Sequence, residues 1–484
     1  MVSRSELDEL AVVGQCLPTL DLSTVGVMTD LTAQLADLAA AVGEADLLTG
    51  PDSMEPYRRD WAKDPSVGMP CAVLRARSVD QVVAAMRWAA ETGTPVVPRG
   101  AGSGLSGGSS AVDGALTISL DRMTGIEIDV PTRTARVEPG ALNIDVKRAA
   151  AAHGLWYPPD PSSYEICSIG GNLATNAGGL CCVKYGVTTD YVLGLDVVLA
   201  DGRLLRLGGR QVKDVAGLSL MKLFVGSEGT LGVIVGATLR LVPALPPAAT
   251  LVASFPTVRA AADAVVAIGA ALRASMMELM DNASINAVED FRSMGLDRSA
   301  GALLLAQSDS PGEARTGEIE AMAAACATHG ATEVFTTDDA DEGELFCAAR
   351  RAAFPAIEMR GSLLLEDVGV AVPLLPRLLD GIAEIAQRQG VDIPVVAHAG
   401  DGNTHPIIVY DASDADSGAR ARTAFDEVMA LAISLDGTIT GEHGVGRLKK
   451  SALPAQVGED VMAVSRAIKA ALDPQGLLNP GAVL

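Results

Sequence analysis

The spacing of apolar and polar positions in the first half of the chain predicts short strands mixed with helices. Alternation predicts strands at 95–97, 115–120, 126–130 and 134–138, and a hairpin over 195–207 that turns at Asp201-Gly202. Helical spacing predicts helices over 31–43, 79–90 and 141–153. Ser78 stands directly before the second helix and is a suitable N-cap.

The pattern changes after residue 250. Predicted strands at 250–255, 276–280, 302–307 and 363–372 alternate with predicted helices near 257–273, 311–328 and 374–389. This order is typical of an antiparallel sheet with helices on one face. Pro243, Pro246 and Pro247 mark a boundary between the two patterns. At 484 residues the chain exceeds the roughly 250–300 that one hydrophobic core supports, so we expect an α+β protein of two domains.

Charge and composition exclude several classes of partner. The formal net charge of −23 argues against nucleic acid and anionic lipid. No apolar stretch approaches the ~20 residues of a membrane span, and residues 1–9 are polar and acidic, unlike a signal peptide. None of the seven cysteines forms a CxxC pair, and a redox bridge between Cys181 and Cys182 would be strained. We therefore expect a cytoplasmic protein with reduced thiols.

Histidine is rare in this chain, with five in total, yet three of them lie in two glycine-rich segments near the C-terminus. The first segment runs from His398 to His405, and the second contains Glu442 and His443. Two imidazoles and a carboxylate form a ligand set for a borderline metal, and His443 would then be free to move protons. The alternative is that these histidines only make local hydrogen bonds.

A glycine-rich loop follows the predicted strand at 95–97. Its residues 102–107 fit the pattern G-x-G-x-x-G, but turn-forming residues and a strand follow where a dinucleotide-binding fold needs a helix. The backbone N–H groups of the loop can still form a nest for phosphate oxygens. The alternative is a flexible surface loop.

Two further segments rich in small residues, 159–179 and 224–234, allow backbone to approach a flat ligand closely. Together with the loop, in this order and spacing, they resemble the FAD-binding domain of the vanillyl-alcohol oxidase/PCMH superfamily over about 58–245. The C-terminal segments HAGDGNTHP (398–406), GEHGVG (441–446) and LLNPG (477–481) resemble the branch of D-lactate dehydrogenases, glycolate oxidase flavoprotein subunits and D-2-hydroxyglutarate dehydrogenases.

This resemblance implies a PCMH-type FAD-binding domain at 1–245, a substrate domain with metal-binding motifs at 246–450, and a C-terminal segment at 451–484 that returns to the first domain. It also implies a set of FAD-binding residues. They are Arg99, Gly100, Ala101, Gly102, Ser103, Gly104, Leu105, Pro161, Ser162, Ser168, Gly171, Asn172, Ala177, Gly178, Gly229, Gly232 and Ile234. Some relatives bind FAD covalently through a loop histidine; because residues 1–152 contain no histidine, we expect non-covalent FAD.

By the same resemblance, His398, His405 and Glu442 are ligands of a divalent metal (Zn, Fe or Mn), and His443 is the general base. A metal on the substrate hydroxyl would lower its pKa, so that an imidazole can take the proton while hydride leaves for flavin N5. The motif around Phe346 implies that Arg350 binds the substrate carboxylate, with Arg351 as its rival.

The chain also departs from the family pattern. Leu365 and Ile407 stand where D-2-hydroxyglutarate dehydrogenases have a lysine and an asparagine for the distal carboxylate. A second charge would be left unpaired there, so a D-2-hydroxy monocarboxylate such as D-lactate, or glycolate, is the expected substrate. Other candidate cations for a dicarboxylate are Arg360 and Lys184.

Three alternatives stay open: a D-2-hydroxyglutarate dehydrogenase, a flavoprotein subunit of a glycolate oxidase complex, and a metal hydrolase without flavin. Because the chain has no iron–sulfur ligands of its own, the electron acceptor is expected to be a quinone, an electron-transfer flavoprotein, a partner subunit or oxygen. A homodimer is kept as an expectation.

Overall fold

The computed structural model describes residues 22–62, 64 and 67–484, with side chains described from residue 31 onward. Residues 1–9 and Cys16 lie outside these residues. The six described cysteines, including Cys181 and Cys182, are all free. Among the described helices, none combines the length and apolar character needed to cross a bilayer.

The strands are numbered here in chain order. They are β1 Leu47–Leu48, β2 Ala72–Arg75, β3 Val96–Arg99, β4 Leu116–Ser119, β5 Ile126–Asp129, β6 Thr134–Val137, β7 Leu155–Trp156, β8 Val192–Val198, β9 Leu204–Gly208, β10 Val233–Arg240, β11 Val242–Pro243, β12 Ala249–Phe255, β13 Met276–Asp281, β14 Ala302–Ser308, β15 Glu333–Thr337, β16 Ser362–Leu365, β17 Val368–Gly369, β18 Val395–His398 and β19 Asn403–Tyr410.

The described α-helices are Leu22–Val42, Pro51–Met54, Val79–Thr92, Asn143–Ala151, Ile169–Thr175, Cys182–Tyr185, Met221–Phe224, Val258–Ala271, Asn282–Phe291, Glu313–Thr328, Ala340–Arg351, Ala353–Glu358, Leu375–Gln389, Ala415–Ser434, Leu453–Val457 and Glu459–Leu472. The N-cap prediction is confirmed, because Ser78 Oγ accepts the N–H of Gln81. The helices predicted over 79–90 and 141–153 are confirmed within two residues at each end, whereas the one predicted over 31–43 begins nine residues earlier, at Leu22.

Two sheets form the first half of the molecule. One has the order β1-β2-β4-β3, with β2, β4 and β3 parallel, and the glycine-rich loop leaves the end of β3. The other has the antiparallel order β5-β6-β10-β8-β9, in which β8 and β9 form the predicted hairpin. As expected from the residues after 107, no helix follows the loop. Backbone N–H groups therefore remain at the loop surface instead of entering a helix.

The second half is built on a large sheet of order β15-β12-β14-β13-β18-β19-β16, with β17 paired to β19. Each pair of neighbouring strands in this order is antiparallel, which confirms the predicted α+β class with an antiparallel sheet. Helices 258–271, 313–328, 375–389 and 415–434 share one apolar core with the sheet. The prediction placed helices on one face of the sheet only. Helices 282–291, 340–351 and 353–358 cover the other face as well and form a second core there, because the central strands are apolar at successive positions.

One local prediction differs from the structure. The predicted strand 363–372 is interrupted at Glu366-Asp367, whose buried carboxylates bind Lys449 and the 440–443 turn instead of continuing the strand. The segment 168–179 contains the short helix Ile169–Thr175, capped by Ser168. The C-terminal tail joins the first sheet, because the N–H of Val96 donates to Leu477 and that of Asn479 donates to Val96.

Candidate active site

A cavity of about 610 Å³ lies between the two halves, and most of the predicted site residues line it. It is bounded by the glycine-rich loop, the segment 161–177, the 228–234 segment and the histidine cluster. Those that line it are Arg99, Gly100, Ala101, Gly102, Ser103, Gly104, Leu105, Pro161, Ser162, Ser168, Gly171, Asn172, Ala177, Gly229, Gly232, Ile234, Arg350, His405, Glu442 and His443. Gly178 and His398 line a second, separate cavity instead.

The loop after β3 is tightly packed backbone. A Cβ on Gly100 would lie 2.4 Å from Ser168 Oγ, and one on Gly102, at φ +74°, would lie 2.1 Å from Arg99 Nη2. Ser168 Oγ accepts the N–H groups of Ala101 and Gly171 at 3.1 and 3.3 Å. The loop is therefore fixed to the helix Ile169–Thr175, and both present backbone to the cavity.

Two of the predicted FAD-binding side chains make hydrogen bonds to other residues of the protein. The buried Arg99 guanidinium donates to the carbonyls of Arg59 and Ser109 at 2.8 and 3.2 Å. Asn172 Oδ1 accepts from Asn143 Nδ2 at 3.0 Å. Both residues line the cavity, yet these bonds hold the loop and the neighbouring segment in shape.

Three imidazole rings surround the carboxylate of Glu442. Its Oε1 lies 3.2 Å from His398 Nε2, 3.3 Å from His405 Nε2 and 3.7 Å from His443 Nε2. Burial alone would raise the pKa of the Glu442 carboxyl, but His398 and His405 outweigh burial and hold it well below its usual range. The ligand atoms of His398, His405 and Glu442 lie within 4.8 Å of one another, close enough to share one cation.

Glu278 is a neighbour of His398 and Arg350 that the sequence analysis did not identify. It lies on β13 with 1% of its surface exposed, and its Oε1 is 2.7 Å from His398 Nδ1. Its Oε2 is 2.9 Å from Arg350 Nε. A carboxylate on Nδ1 orients a metal-binding histidine and leaves Nε2 toward the ligand site. The indication in the sequence was one glutamate inside the apolar run 276–280.

Asp367 was also missed, and it shapes the turn that carries Glu442 and His443. Its Oδ2 accepts the N–H groups of Gly441, Glu442 and His443 at 3.0, 3.0 and 2.8 Å, and the hydroxyl of Thr440 at 2.7 Å. Burial alone would raise the pKa of Asp367, but His443, Lys449 and His405 together lower it to about 2. The turn is thus built around a buried negative charge.

His443 lies at the wall of the cavity. Its ring stacks on that of His405, with centroids 4.9 Å apart and planes inclined by 14°. Burial lowers the pKa of His443 to about 4, against the opposing effects of Asp367 and Glu442. The ring is therefore neutral near pH 7 and has a nitrogen able to accept a proton.

The two candidate arginines differ in their surroundings. Arg350 is 5% exposed, and its Nη2 is buried without a hydrogen-bond partner among the described residues. Arg351 is paired with Glu344 near the surface. Because a buried donor without a partner is costly, the Nη2 of Arg350 makes this residue the better carboxylate partner in the cavity.

Leu365 and Ile407 face each other across the antiparallel pair β16–β19, and both line the cavity. The two other cations considered for a distal carboxylate point elsewhere. Arg360 lies 3.7 Å from Asp290, and Lys184 is paired with Asp309. Neither lines the cavity, so this part of its wall is apolar.

Hydrogen bonds join the cavity's separate segments at one point. Glu228, a non-glycine residue at φ +50°, accepts the N–H groups of Val445 and Gly446, both at 2.8 Å. Asn479 Nδ2 donates to the carbonyls of Gly108 and Glu228, both at 2.7 Å. Burial raises the pKa of Glu228 to about 7. We call Gly108, Glu228, Val445, Gly446 and Asn479 the junction.

Two known families match consecutive parts of the chain. Residues 70–208 match the family described as an FAD binding domain, and residues 246–483 match the C-terminal domain of FAD linked oxidases. The fold resembles the solved structure of p-cresol methylhydroxylase with substrate bound, with a TM-score of 0.78 at 17% identity, covering 94% of this chain and 97% of that one.

Curated relatives match over most of their length. The glycolate oxidase subunit GlcD of Bacillus subtilis is 41% identical over 416 residues, covering 85% of this chain and 88% of that protein. D-lactate dehydrogenase of Archaeoglobus fulgidus is 33% identical, covering 85% and 91%. D-2-hydroxyglutarate dehydrogenase of Xanthomonas citri pv. viticola is 35% identical, covering 94% and 97%.

Proposed function

The chain belongs to the FAD-linked oxidase family, and on that premise we propose that it is an FAD-dependent dehydrogenase of D-2-hydroxy monocarboxylates. The reaction would oxidise a substrate of the D-lactate or glycolate type to its 2-oxo acid. One observation carries the proposal: the glycine-rich loop, the buried Arg350 and the histidine cluster line the same cavity. These groups can bind the flavin, hold the substrate carboxylate and take up the hydroxyl proton.

The residues present fit FAD. A Cβ at Gly100 or Gly102 would clash with Ser168 or Arg99, so only glycine packs at these positions, and their bare backbone lines the cavity. FAD, when bound, supplies the acceptor for the hydride at N5. Residues 99–105 would hold its pyrophosphate, and the cavity-lining residues between 161 and 177 would lie along the ring system and ribityl chain.

The residues also fit a divalent metal held by His398, His405 and Glu442. Glu442 Oε2 is buried without a hydrogen-bond partner among the described residues, and Glu278 already orients His398. Imidazole and carboxylate together suit Zn²⁺, Fe²⁺ or Mn²⁺. Such a cation, when bound, lowers the pKa of the substrate hydroxyl.

Two protein groups would then act on the substrate. The guanidinium of Arg350, held at Nε by Glu278, binds the α-carboxylate through its free Nη2. His443 Nε2 accepts the hydroxyl proton as the hydride leaves the α-carbon. Leu365 and Ile407 would face the remainder of the substrate, which favours an apolar group over the second carboxylate of D-2-hydroxyglutarate.

A second candidate role is that of a flavoprotein subunit within a glycolate oxidase complex. It is favoured by the relative from B. subtilis, whose name describes it as a subunit. Electrons would then pass to a partner subunit; otherwise a quinone or an electron-transfer flavoprotein accepts them. We propose a cytoplasmic location and a homodimer in the absence of such a partner. Co-purification of a tagged chain with an iron–sulfur protein would favour the complex.

The test is a screen of D- and L-2-hydroxy acids with an artificial dye acceptor. We expect D-lactate or glycolate to reduce the flavin, and a metal chelator to abolish most of the activity. Failure of every 2-hydroxy acid to bleach the flavin anaerobically would overturn the proposal. Activity unchanged by complete metal removal would remove only the metal from it.

A further inference from the structure

We call the cavity of about 610 Å³ the flavin cavity, or first cavity. A second cavity, of about 480 Å³, reaches the histidine cluster separately from it. Glu442 lines both cavities, His398 lines only the second, and His405 lines only the first. The three candidate ligands therefore form part of the wall between two compartments. A cation held there can be approached from either compartment.

The two compartments differ in charge. The second is lined by the carboxylates of Asp401, Asp436 and Glu442, and no lysine or arginine belongs to its described lining. The first has a mixed lining that includes Arg99, Arg350 and Arg351. A compartment lined by one sign of charge concentrates the opposite ion and speeds its association. The second cavity therefore attracts small cations.

An orphaned ligand atom lies on the side of the second cavity. Glu442 is 9% exposed, and its Oε2 has no hydrogen-bond partner among the described residues. A Cβ built on Gly178, which lines the second cavity and not the first, would lie 3.1 Å from this oxygen. Oε1 meanwhile faces the three imidazoles. The unpaired oxygen is thus placed where a cation from the second cavity arrives first.

We propose that the divalent metal enters and leaves through the second cavity, while substrate and FAD occupy the first. This inference rests on the metal site of the proposed function. FAD and the bound substrate would obstruct the first cavity, and Arg350 beside the ligands repels a free cation. The metal can then exchange while the flavin cavity is filled.

The charge of the second cavity provides the first test. Zinc uptake by metal-free, FAD-loaded protein is followed by stopped flow with a fluorescent zinc indicator. The double variant Asp401→Asn/Asp436→Asn should take up zinc roughly three- to tenfold more slowly at low ionic strength, with the difference shrinking in high salt. Asn is well suited to position 436, where φ is +54°.

The matched control is Glu165→Gln/Glu358→Gln, which removes the same charge from residues that line the flavin cavity. We expect it to leave the zinc uptake rate unchanged. Slower uptake in this control, with normal uptake in Asp401→Asn/Asp436→Asn, would overturn the proposal and assign entry to the flavin cavity.

Narrowing the cavities provides the second test. Ala371 is exposed and lines the second cavity, so Ala371→Trp should slow zinc uptake and release by the same factor and leave the Kd for zinc unchanged. A substitution that narrows the entry route slows zinc uptake and release equally, whereas one that disturbs a metal ligand would change the Kd. Ile166→Trp is the control, because Ile166 is 42% exposed and lines the flavin cavity. Unchanged zinc rates in Ala371→Trp would overturn the route.

Zinc stoichiometry separates this inference from the proposed function. One zinc per chain with rates insensitive to every second-cavity variant would contradict only the route. Absence of zinc, iron and manganese from the wild-type holoprotein, with no zinc taken up by the metal-free protein, would contradict the metal site as well. In either case, anaerobic flavin reduction by a 2-hydroxy acid reports independently on the dehydrogenase itself.

Discussion

The side chains around Glu442 differ in how tightly each is held. His398 is fixed at Nδ1 by Glu278, and its ring is nearly inaccessible. The His443 ring is held less tightly: its Nε2 lies 3.7 Å from Glu442 Oε1 and its Nδ1 lies 3.9 Å from Asp367 Oδ2, both beyond hydrogen-bond distance. The ring also lines the cavity. A ligand benefits from fixation, whereas a proton acceptor needs access to substrate. This difference supports the proposed roles of His398 as a ligand and His443 as the proton acceptor.

We expect His443→Ala to retain FAD and metal but to lose flavin reduction by a factor of roughly 10²–10⁴, the usual contribution of general-base catalysis. Anaerobic single-turnover reduction by D-lactate measures the loss. His329→Ala, at the end of a helix outside both cavities, is the control and should react normally. A near-normal rate in His443→Ala would remove this residue from the mechanism.

FAD should be released completely by acid precipitation. The histidines that line the flavin cavity are His405 and His443, whose rings are packed around Glu442, and the glycine-rich loop contains none. No imidazole is therefore positioned along the loop to form a bond to the flavin. Absorbance near 450 nm in the supernatant measures the released fraction, and yellow colour in the washed pellet would contradict the prediction.

Residues in recognisable motifs could be predicted, and their partners could not. His398, His405, Glu442 and His443 stand out because histidine is rare and glycine surrounds them. Glu278 lies on the apolar strand β13 and Asp367 lies between β16 and β17, both far away in the sequence, and sheet pairing brings them to the cluster. Their charges are intelligible only after the fold is known, because the fold supplies their partners.

At the scale of elements, strand register decides which residues meet the substrate. The β16–β19 pairing sets Leu365 opposite Ile407, and strand β19 also carries His405, two residues earlier. The interruption at Glu366-Asp367 could not be read from the apolar pattern of 363–372. It follows from long-range contacts: Glu366 is 2.8 Å from Lys449, and Asp367 binds the turn at 440–443.

We expect the wild type to prefer D-lactate over D-2-hydroxyglutarate by roughly tenfold or more in kcat/KM, because the distal carboxylate would be desolvated beside Leu365 and Ile407. Leu365→Lys should reduce or reverse this preference. Ser362→Lys adds the same charge at the other end of β16 and is the control. Steady-state kinetics with a dye acceptor decide, and a wild-type preference for the dicarboxylate would contradict an apolar wall.

At the scale of the whole molecule, the junction links both halves and the C-terminal tail. Arg447 extends it, since its guanidinium donates to Gly107 and to Asn479 Oδ1. The tail's return to the first half was predictable from its family motif, but the junction itself was not, because Glu228 and Asn479 each serve backbone groups remote in sequence. The glycine-rich loop and the turn that carries His443 are consequently held together.

Asn479→Ala should therefore weaken both stability and FAD binding. Asn479 is 1% exposed, and its loss would leave the carbonyls of Gly108 and Glu228 without their donor. Each buried unsatisfied group costs about 1–3 kcal/mol, so the Kd for FAD should rise roughly tenfold or more, with a lower Tm. Asn286→Ala, which removes hydrogen bonds near the surface, is the control and should change neither quantity. Flavin fluorescence titration and thermal denaturation measure both effects. A variant with a lower Tm but an unchanged Kd for FAD would show that the junction stabilises the fold without holding the glycine-rich loop.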